Sequence, residues 1–174
     1  MSHAESRTVW IRATIERYEA PLLSYCVSIV GDRERARDVV QDAFFRLVEA
    51  EDWQALREHV KAWLYRVCRN RALDVTKKER PMQSATPEEL ERQKSLGPDP
   101  GEQLEQRRTA SALTTMIAAL PEKQKEVVQL KFQEGLSYRE ISAVTGHSTG
   151  NVGYLLHCGV KTLREALAAE GGVR

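Results

Sequence analysis

Between Gly135 and Glu165 the chain reads GLSYREISAVTGHSTGNVGYLLHCGVKTLRE, and its punctuation leaves few folds open. Ser137 with Glu140 three residues on forms a capping-box signature, which predicts a short helix from Tyr138 that buries Ile141 and Val144. Thr145-Gly146 then breaks it, because glycine takes the positive φ of a tight turn without a side-chain clash. Ser148 or Thr149 can cap a second helix. At about 100° per residue, Val152, Leu155, Leu156, Gly159, Val160 and Leu163 fall on one side of that helix. His147, Gly150, Asn151, Tyr154, His157, Cys158 and Lys161 fall on the other, which is polar and holds no acid. An apolar stripe by itself means only core packing. The order of capped short helix, glycine turn and capped longer helix ending in Lys161 and Arg164 points further, to a helix-turn-helix whose second helix can enter a DNA groove.

The remainder of the chain sets the frame for that element. At 174 residues it holds one ordinary domain or two small ones. Aromatic residues make up 6% and charged residues 29%, and β-branched runs of period two are missing, so the fold class read from the sequence is all-α. No apolar run of about 18 residues exists and the N-terminus lacks an apolar signal region, which predicts a cytoplasmic protein with no membrane insertion. Cys26, Cys68 and Cys158 are odd in number and far apart, with no C-x-x-C pair to begin a zinc site, so reduced structural thiols and no bound metal are expected.

A net charge of +1 conceals a strong asymmetry. From Lys61 to Arg80, the cations Lys61, Arg66, Arg69, Arg71, Lys77, Lys78 and Arg80 face only Asp74 and Glu79, an excess of five. From Gly31 to Asp52, four arginines face seven acids, a deficit of three. One chain therefore carries an acidic surface and a basic one.

Taken in order, helix-spaced Ile11, Ile15, Tyr18, Leu22, Cys26 and Ile29 predict a helix from about 11 to 30, with Pro21 a kink or boundary. Gly31-Asp32 ends it, and Asp32 caps a second helix carrying Ala36, Val39, Val40, Ala43, Phe44, Leu47 and Val48 on its apolar side. The opposite side shows Asp38, Gln41, Asp42 and Phe45, two acids, an amide and a large aromatic, a combination that marks a protein-partner surface. After a connector from 51 to 59, a third helix runs through Val60, Trp63, Leu64, Val67 and Cys68, with Trp63 in the core, and becomes basic until Pro81 stops it. The cations, with Tyr65 and Asn70 interleaved, suit phosphate contact, base stacking and base-edge hydrogen bonds. The stretch from Pro81 to Gly101 is rich in Pro, Ser, Glu and Gln and reads as an acidic linker. A helix through Leu104, Leu113, Ile117 and Leu120 follows, then one begun near Pro121 that carries Val127, Val128, Leu130 and Phe132. The helix-turn-helix closes the chain.

Three blocks carry a family resemblance: DVVQDAFFRLVEA, VKAWLYRVCRNRALDVTKKER, and the run from Leu120 to Leu167 that contains EGLSYREI. They resemble regions two and four of bacterial RNA polymerase sigma factors of the extracytoplasmic-function (ECF) type, most specifically in D-x-x-Q-D-x-F at Asp38 to Phe44 and W-L-x-x-V-x-R-N-x-x-x-D at Trp63 to Asp74. The resemblance implies two helical domains, over 8–80 and 104–170, joined by a linker over 81–103. It implies RNA polymerase core enzyme and promoter DNA as partners, an anti-sigma factor as a further one, and no cofactor. Asp38, Gln41 and Asp42, with Phe45 beside them, match the positions that dock on the clamp helices of the largest polymerase subunit. Lys61, Arg66, Arg69, Asn70, Arg71, Lys77, Lys78 and Arg80 lie in the segment that opens the −10 element and captures a flipped base. His147, Ser148, Thr149, Asn151, Tyr154, His157 and Lys161 lie where the −35 element is read. Relatives usually carry basic residues where this chain has Gly153, Leu155 and Cys158, which implies weak DNA binding by the second domain alone.

Two other readings compete. A stand-alone helix-turn-helix regulator would leave the Asp38 strip without a role. An enzyme would take Asp38 and Asp42 as magnesium ligands, but no Gly-rich phosphate loop, second carboxylate pair or nucleophile–base set accompanies them, so no catalytic residue is assigned.

Overall fold

The computed structural model describes residues 3–79 and 112–171, and every regular element in them is helical. The chain divides into two compact units. In the first, α1 (His3–Val30), α2 (Arg33–Glu49) and α4 (Val60–Glu79) pack against one another, with a short α3 (Trp53–Arg57) on α4.

Local chemistry sets the corners. Gly31 at φ 79° donates its N–H to the Val27 carbonyl at 2.8 Å and ends α1. The Asp32 carboxylate then accepts from the Arg35 N–H at 2.8 Å and starts α2. Leu22 and Cys26 of α1, Val39, Ala43 and Leu47 of α2, and Leu64, Cys68 and Ala72 of α4 lose essentially all their exposed area in the shared core. Burying each of the larger side chains stabilises the fold by roughly 1.5–3 kcal/mol.

Several expectations need correction here. The first helix begins at His3 and passes through Pro21, which is neither boundary nor end. Pro21 removes the N–H that would reach the Arg17 carbonyl, but Arg17 is exposed, and core packing on both sides of the proline holds the helix together. The connector contains α3, capped by Asp52 accepting from Ala55 N–H, and its Trp53 is buried against Trp10 with ring centroids 5.4 Å apart. Trp63 is only half-buried. Tyr65 instead fills the core, edge-on to Tyr25 at 5.2 Å, so it cannot stack on a base. Val48 faces solvent rather than the core.

The extra turns of α1 have a purpose that the periodicity hid. Arg7 Nη2 donates to the carbonyls of Val48 at 2.8 Å and Ala50 at 2.7 Å, capping the otherwise unpaired C-terminal end of α2 with a positive charge. Arg7→Ala is expected to destabilise the first unit by about 1–2 kcal/mol. A lower urea midpoint at unchanged slope would show this; an unchanged midpoint would mean that water caps α2 as well as Arg7 does.

The second unit opens with a helix, α5, over 112–118. Leu120 is buried and Pro121 leads into α6 (Glu122–Val128), as its position predicted, and the chain then widens into a π-helical turn (Gln129–Gln133). The wider turn keeps Leu130 buried but swings Phe132 outward, 65% exposed, against the expectation that it belonged to the apolar side. Next come α7 (Tyr138–Thr145) and α8 (Thr149–Gly171), with α8 packed on both α6 and α7. Gly159 lets α8 lie flush on α6: a Cβ there would stand 2.8 Å from Val128 Cγ2. Leu104 and Arg80, with the linker over 81–103, lie outside the described residues.

Candidate functional site

On α2 the geometry follows from the cap. Once Asp32 fixes the first turn, Ala36, Val39, Val40, Ala43, Phe44 and Leu47 are carried inward. The same rotation leaves Asp38 and Gln41 exposed and Asp42 half-exposed. Phe45 projects at 66% exposure, with Val48 at 47% one turn further on. Two large apolar side chains at i and i+3, flanked by an acid and an amide, are unusual on a free helix face and form a small anchor-and-rim surface. Val48 is the member that sequence reasoning missed, because its helix spacing placed it on the apolar side with the core residues.

On α4, Arg66, Asn70, Lys77 and Lys78 are exposed, while Lys61 and Arg69 are half-buried. Arg71 behaves differently. Its Nε donates to Asp42 Oδ2 at 2.8 Å, joining α4 to α2 across 29 residues of sequence. The pair is 39% and 46% exposed, so its net contribution to stability is below about 1 kcal/mol. The remaining exposed cations form a face to which a phosphate backbone can bind, with Asn70 among them as a donor and acceptor for a base edge.

In the second unit the helix-turn-helix is held by a chain of short-range hydrogen bonds. The Ser137 hydroxyl accepts from the Glu140 N–H at 3.2 Å and Glu140 Oε2 accepts from the Ser137 N–H at 2.7 Å, completing the capping box. Gly146 sits at φ 77° and donates to the Ser142 carbonyl. The Ser142 hydroxyl donates to the His147 carbonyl at 2.6 Å, and the Thr145 hydroxyl accepts from the His147 N–H. Ser148 Oγ accepts from the Asn151 N–H at 3.2 Å and caps α8. Replacing Ser137 with alanine is expected to cost about 1 kcal/mol of second-unit stability, measurable as a lower thermal midpoint.

These bonds sort the residues predicted to face DNA. His147 is half-buried with its Nε2 enclosed and its backbone committed to the turn, so it shapes the corner. Ser148 is exposed but its hydroxyl is the cap. Thr149, Gly150, Asn151, Tyr154, His157 and Lys161 are the open face, with Tyr154 at 65% exposure. Lys161 lies 3.9 Å from Glu165, both well exposed, a pair too loose to withdraw the cation from a phosphate. A hydrogen bond between Tyr154 and Cys158 raises the phenol above its ordinary value. Tyr138 packs where a side chain at 153 would begin, with its Cε2 3.5 Å from that point.

The cysteines divide in the same way. The hydrogen bond to Cys26 and burial push the Cys68 thiol far above its usual range, leaving it an inert packing group. Cys158 is half-exposed. Iodoacetamide is therefore expected to modify one thiol of the native chain and all three after denaturation; mass spectrometry showing two or three adducts on folded protein would contradict the buried pair. Among the described residues no group of three or more His, Cys, Asp or Glu side chains is placed to hold a metal ion, and no helix is long and apolar enough to cross a membrane.

The surfaces divide between two units as a known pair of domains does: residues 14–81 match the model of sigma-70 region 2, and residues 110–163 that of sigma-70, region 4. The chain belongs to the sigma-70 family. Relatives of this sigma factor include the ECF RNA polymerase sigma factor SigW of Bacillus subtilis, 26% identical over 161 residues covering 88% of this chain and 86% of that protein. SigL of Mycobacterium tuberculosis is 28% identical over 184 aligned positions, covering 98% of this chain and 96% of SigL. The fold resembles that of RpoE from Bartonella quintana, solved with the anti-sigma factor NepR, at a TM-score of 0.61 and 21% identity over 90% of this chain and 96% of the other. The chain is a promoter-recognising RNA polymerase sigma factor of the ECF type.

Proposed function

We propose that this sigma factor docks on core RNA polymerase through Asp38, Gln41, Asp42, Phe45 and Val48 of α2. Arg66, Arg69, Asn70, Lys77 and Lys78 of α4, with Lys61 at its start and Arg80 beyond the described residues, engage the opened −10 element. Thr149, Asn151, Tyr154, His157 and Lys161 of α8 read the −35 element. The observation that carries this reading is the anchor-and-rim strip on α2 beside a cationic helix in the same unit: one partner is a protein, the other a polyanion. The work is done by binding, in the cytoplasm and without covalent chemistry. Capture of an unstacked base offsets the few kcal/mol of opening a base step.

Readout by α8 rests on Asn151, whose amide can pair bidentately with adenine, and on Tyr154, rather than on a row of cations. The second unit alone therefore binds DNA weakly, and the −35 contact depends on tethering to a unit already held by polymerase. Two proteins of this fold were solved in complexes, RpoE with the anti-sigma factor NepR and CnrH with the cytosolic domain of CnrY, which supports an anti-sigma partner here too.

The test is to mix the purified chain with sigma-free bacterial core polymerase and follow co-elution by size exclusion. A stable complex at micromolar concentration supports the reading. Failure to co-elute at low salt would refute docking through the α2 strip.

A further inference from the structure

The Asp42–Arg71 pair joins the two surfaces that the proposed function keeps apart. Asp42 belongs to the α2 strip and Arg71 to the basic helix, yet their side chains meet at 2.8 Å. The other exposed cations of α4, Arg66, Lys77 and Lys78, point to solvent, whereas the Arg71 guanidinium is turned toward α2. A half-exposed, single-contact ion pair is cheap to exchange. A guanidinium released from a carboxylate will find another oxyanion, and phosphate offers the same fork geometry.

We propose that Asp42 withholds Arg71 from DNA in the free chain, and that a cationic partner taking Asp42 at the α2 strip releases Arg71 to the promoter phosphates. Arg71 is thus a positioning and coupling residue that makes docking on α2 and DNA contact on α4 mutually reinforcing. The coupling is reciprocal, so DNA that claims Arg71 frees Asp42 for its protein partner. This rests on the α2 strip being the polymerase surface.

The consequence is measurable with the full chain and a fluorescein-labelled oligothymidylate, by anisotropy at several salt concentrations. Asp42→Asn removes the hold on Arg71 and is expected to tighten binding about threefold, steepening the salt dependence by about 0.7, the value for one additional phosphate on a single strand. Asp38→Asn deletes the same charge one turn earlier and should give less than half that gain. In the double variant Asp42→Asn/Arg71→Gln the gain and the steeper slope both disappear.

Equal gains from Asp38→Asn and Asp42→Asn would reduce the effect to general repulsion and overturn the proposal, as would a gain that survives Arg71→Gln. A second arm measures ultraviolet crosslinking of the oligonucleotide to the sigma chain, separated from polymerase subunits on a gel, with core polymerase in excess. There Arg71→Gln should lower crosslinking at least about twofold, because Arg71 has been released to the DNA, whereas in the free chain the same substitution changes anisotropy by much less; an effect no larger with polymerase than without it would also overturn the proposal. Co-elution reports separately on the polymerase surface. Loss of co-elution with the anisotropy pattern intact would refute that surface and leave the Asp42 hold standing.

Discussion

Asp38→Arg combined with Phe45→Ala is expected to weaken the complex with core polymerase at least about a hundredfold while leaving the chain folded. Phe45 is the large aromatic on the strip, and truncating an aromatic anchor that becomes buried in an interface costs about 2 kcal/mol or more. On the proposed docking, reversing Asp38 on the rim of the same strip replaces a complementary contact with a like-charge penalty. The residues are seven apart on one helix, about 10 Å along its axis, so the two losses should add with little coupling. Both side chains are exposed in the free chain, and substitutions at such positions change stability by only about 0.5 kcal/mol. Titration of labelled chain with core polymerase, beside a thermal melt, separates the two effects. Binding within threefold of wild type would remove α2 from the interface. Asp42 is left out of this variant because arginine there would also repel Arg71 and confuse docking with the α2–α4 contact.

What was legible in the sequence was local. The Ser137–Glu140 box, the Asp32 and Ser148 caps and the glycine corner at Gly146 all involve partners within five residues, and each sits where its chemistry requires. What was not legible depends on more than one helix. Tyr65 lies beside the predicted stripe of α4, and only because α1 and α2 both pack on that helix does its buried sector widen to include it. Trp63, at the other border, is left half out. Pro21 shows packing overriding a local rule, and Phe132 shows a π-helical turn shifting the faces of a helix that simple periodicity follows only while the pitch is constant. The Asp42–Arg71 pair spans 29 positions and carries no sequence signal at all. The exposed site residues of α2 and α8 were visible as the polar complement of an apolar stripe; that the partners are polymerase and promoter came from the motifs and not from the period.

Gly159→Val is expected to destabilise the second unit by about 3 kcal/mol or more, enough to unfold much of it at physiological temperature. A Cβ at 159 would lie 2.8 Å from Val128 Cγ2 and 3.6 Å from Gln124 Cβ, and Val128 is buried, so its methyl can give way only by disturbing the core around it. Overpacking of this kind costs about 1–3 kcal/mol for added methylenes. Alanine recovers part of that through better helix propensity, close to 1 kcal/mol, so Gly159→Ala should be much milder. Valine recovers less and adds two methyl groups in the same gap. In a small helical unit each kcal/mol shifts the midpoint by about 4–8 °C, so the second unit's transition should fall by more than about 10 °C while that of the first stays in place. A full-chain melt with one unmoved transition would carry that signature; two unmoved transitions would mean that α6 and α8 separate at little cost. The functional consequence follows from geometry: Gly159 seats α8 on α6 through one face so that Asn151 and Tyr154 project from the other. On the proposed function the variant should therefore still co-elute with polymerase yet lose initiation at promoters that depend on the upstream element, because a detached α8 no longer presents Asn151 and Tyr154 in one orientation.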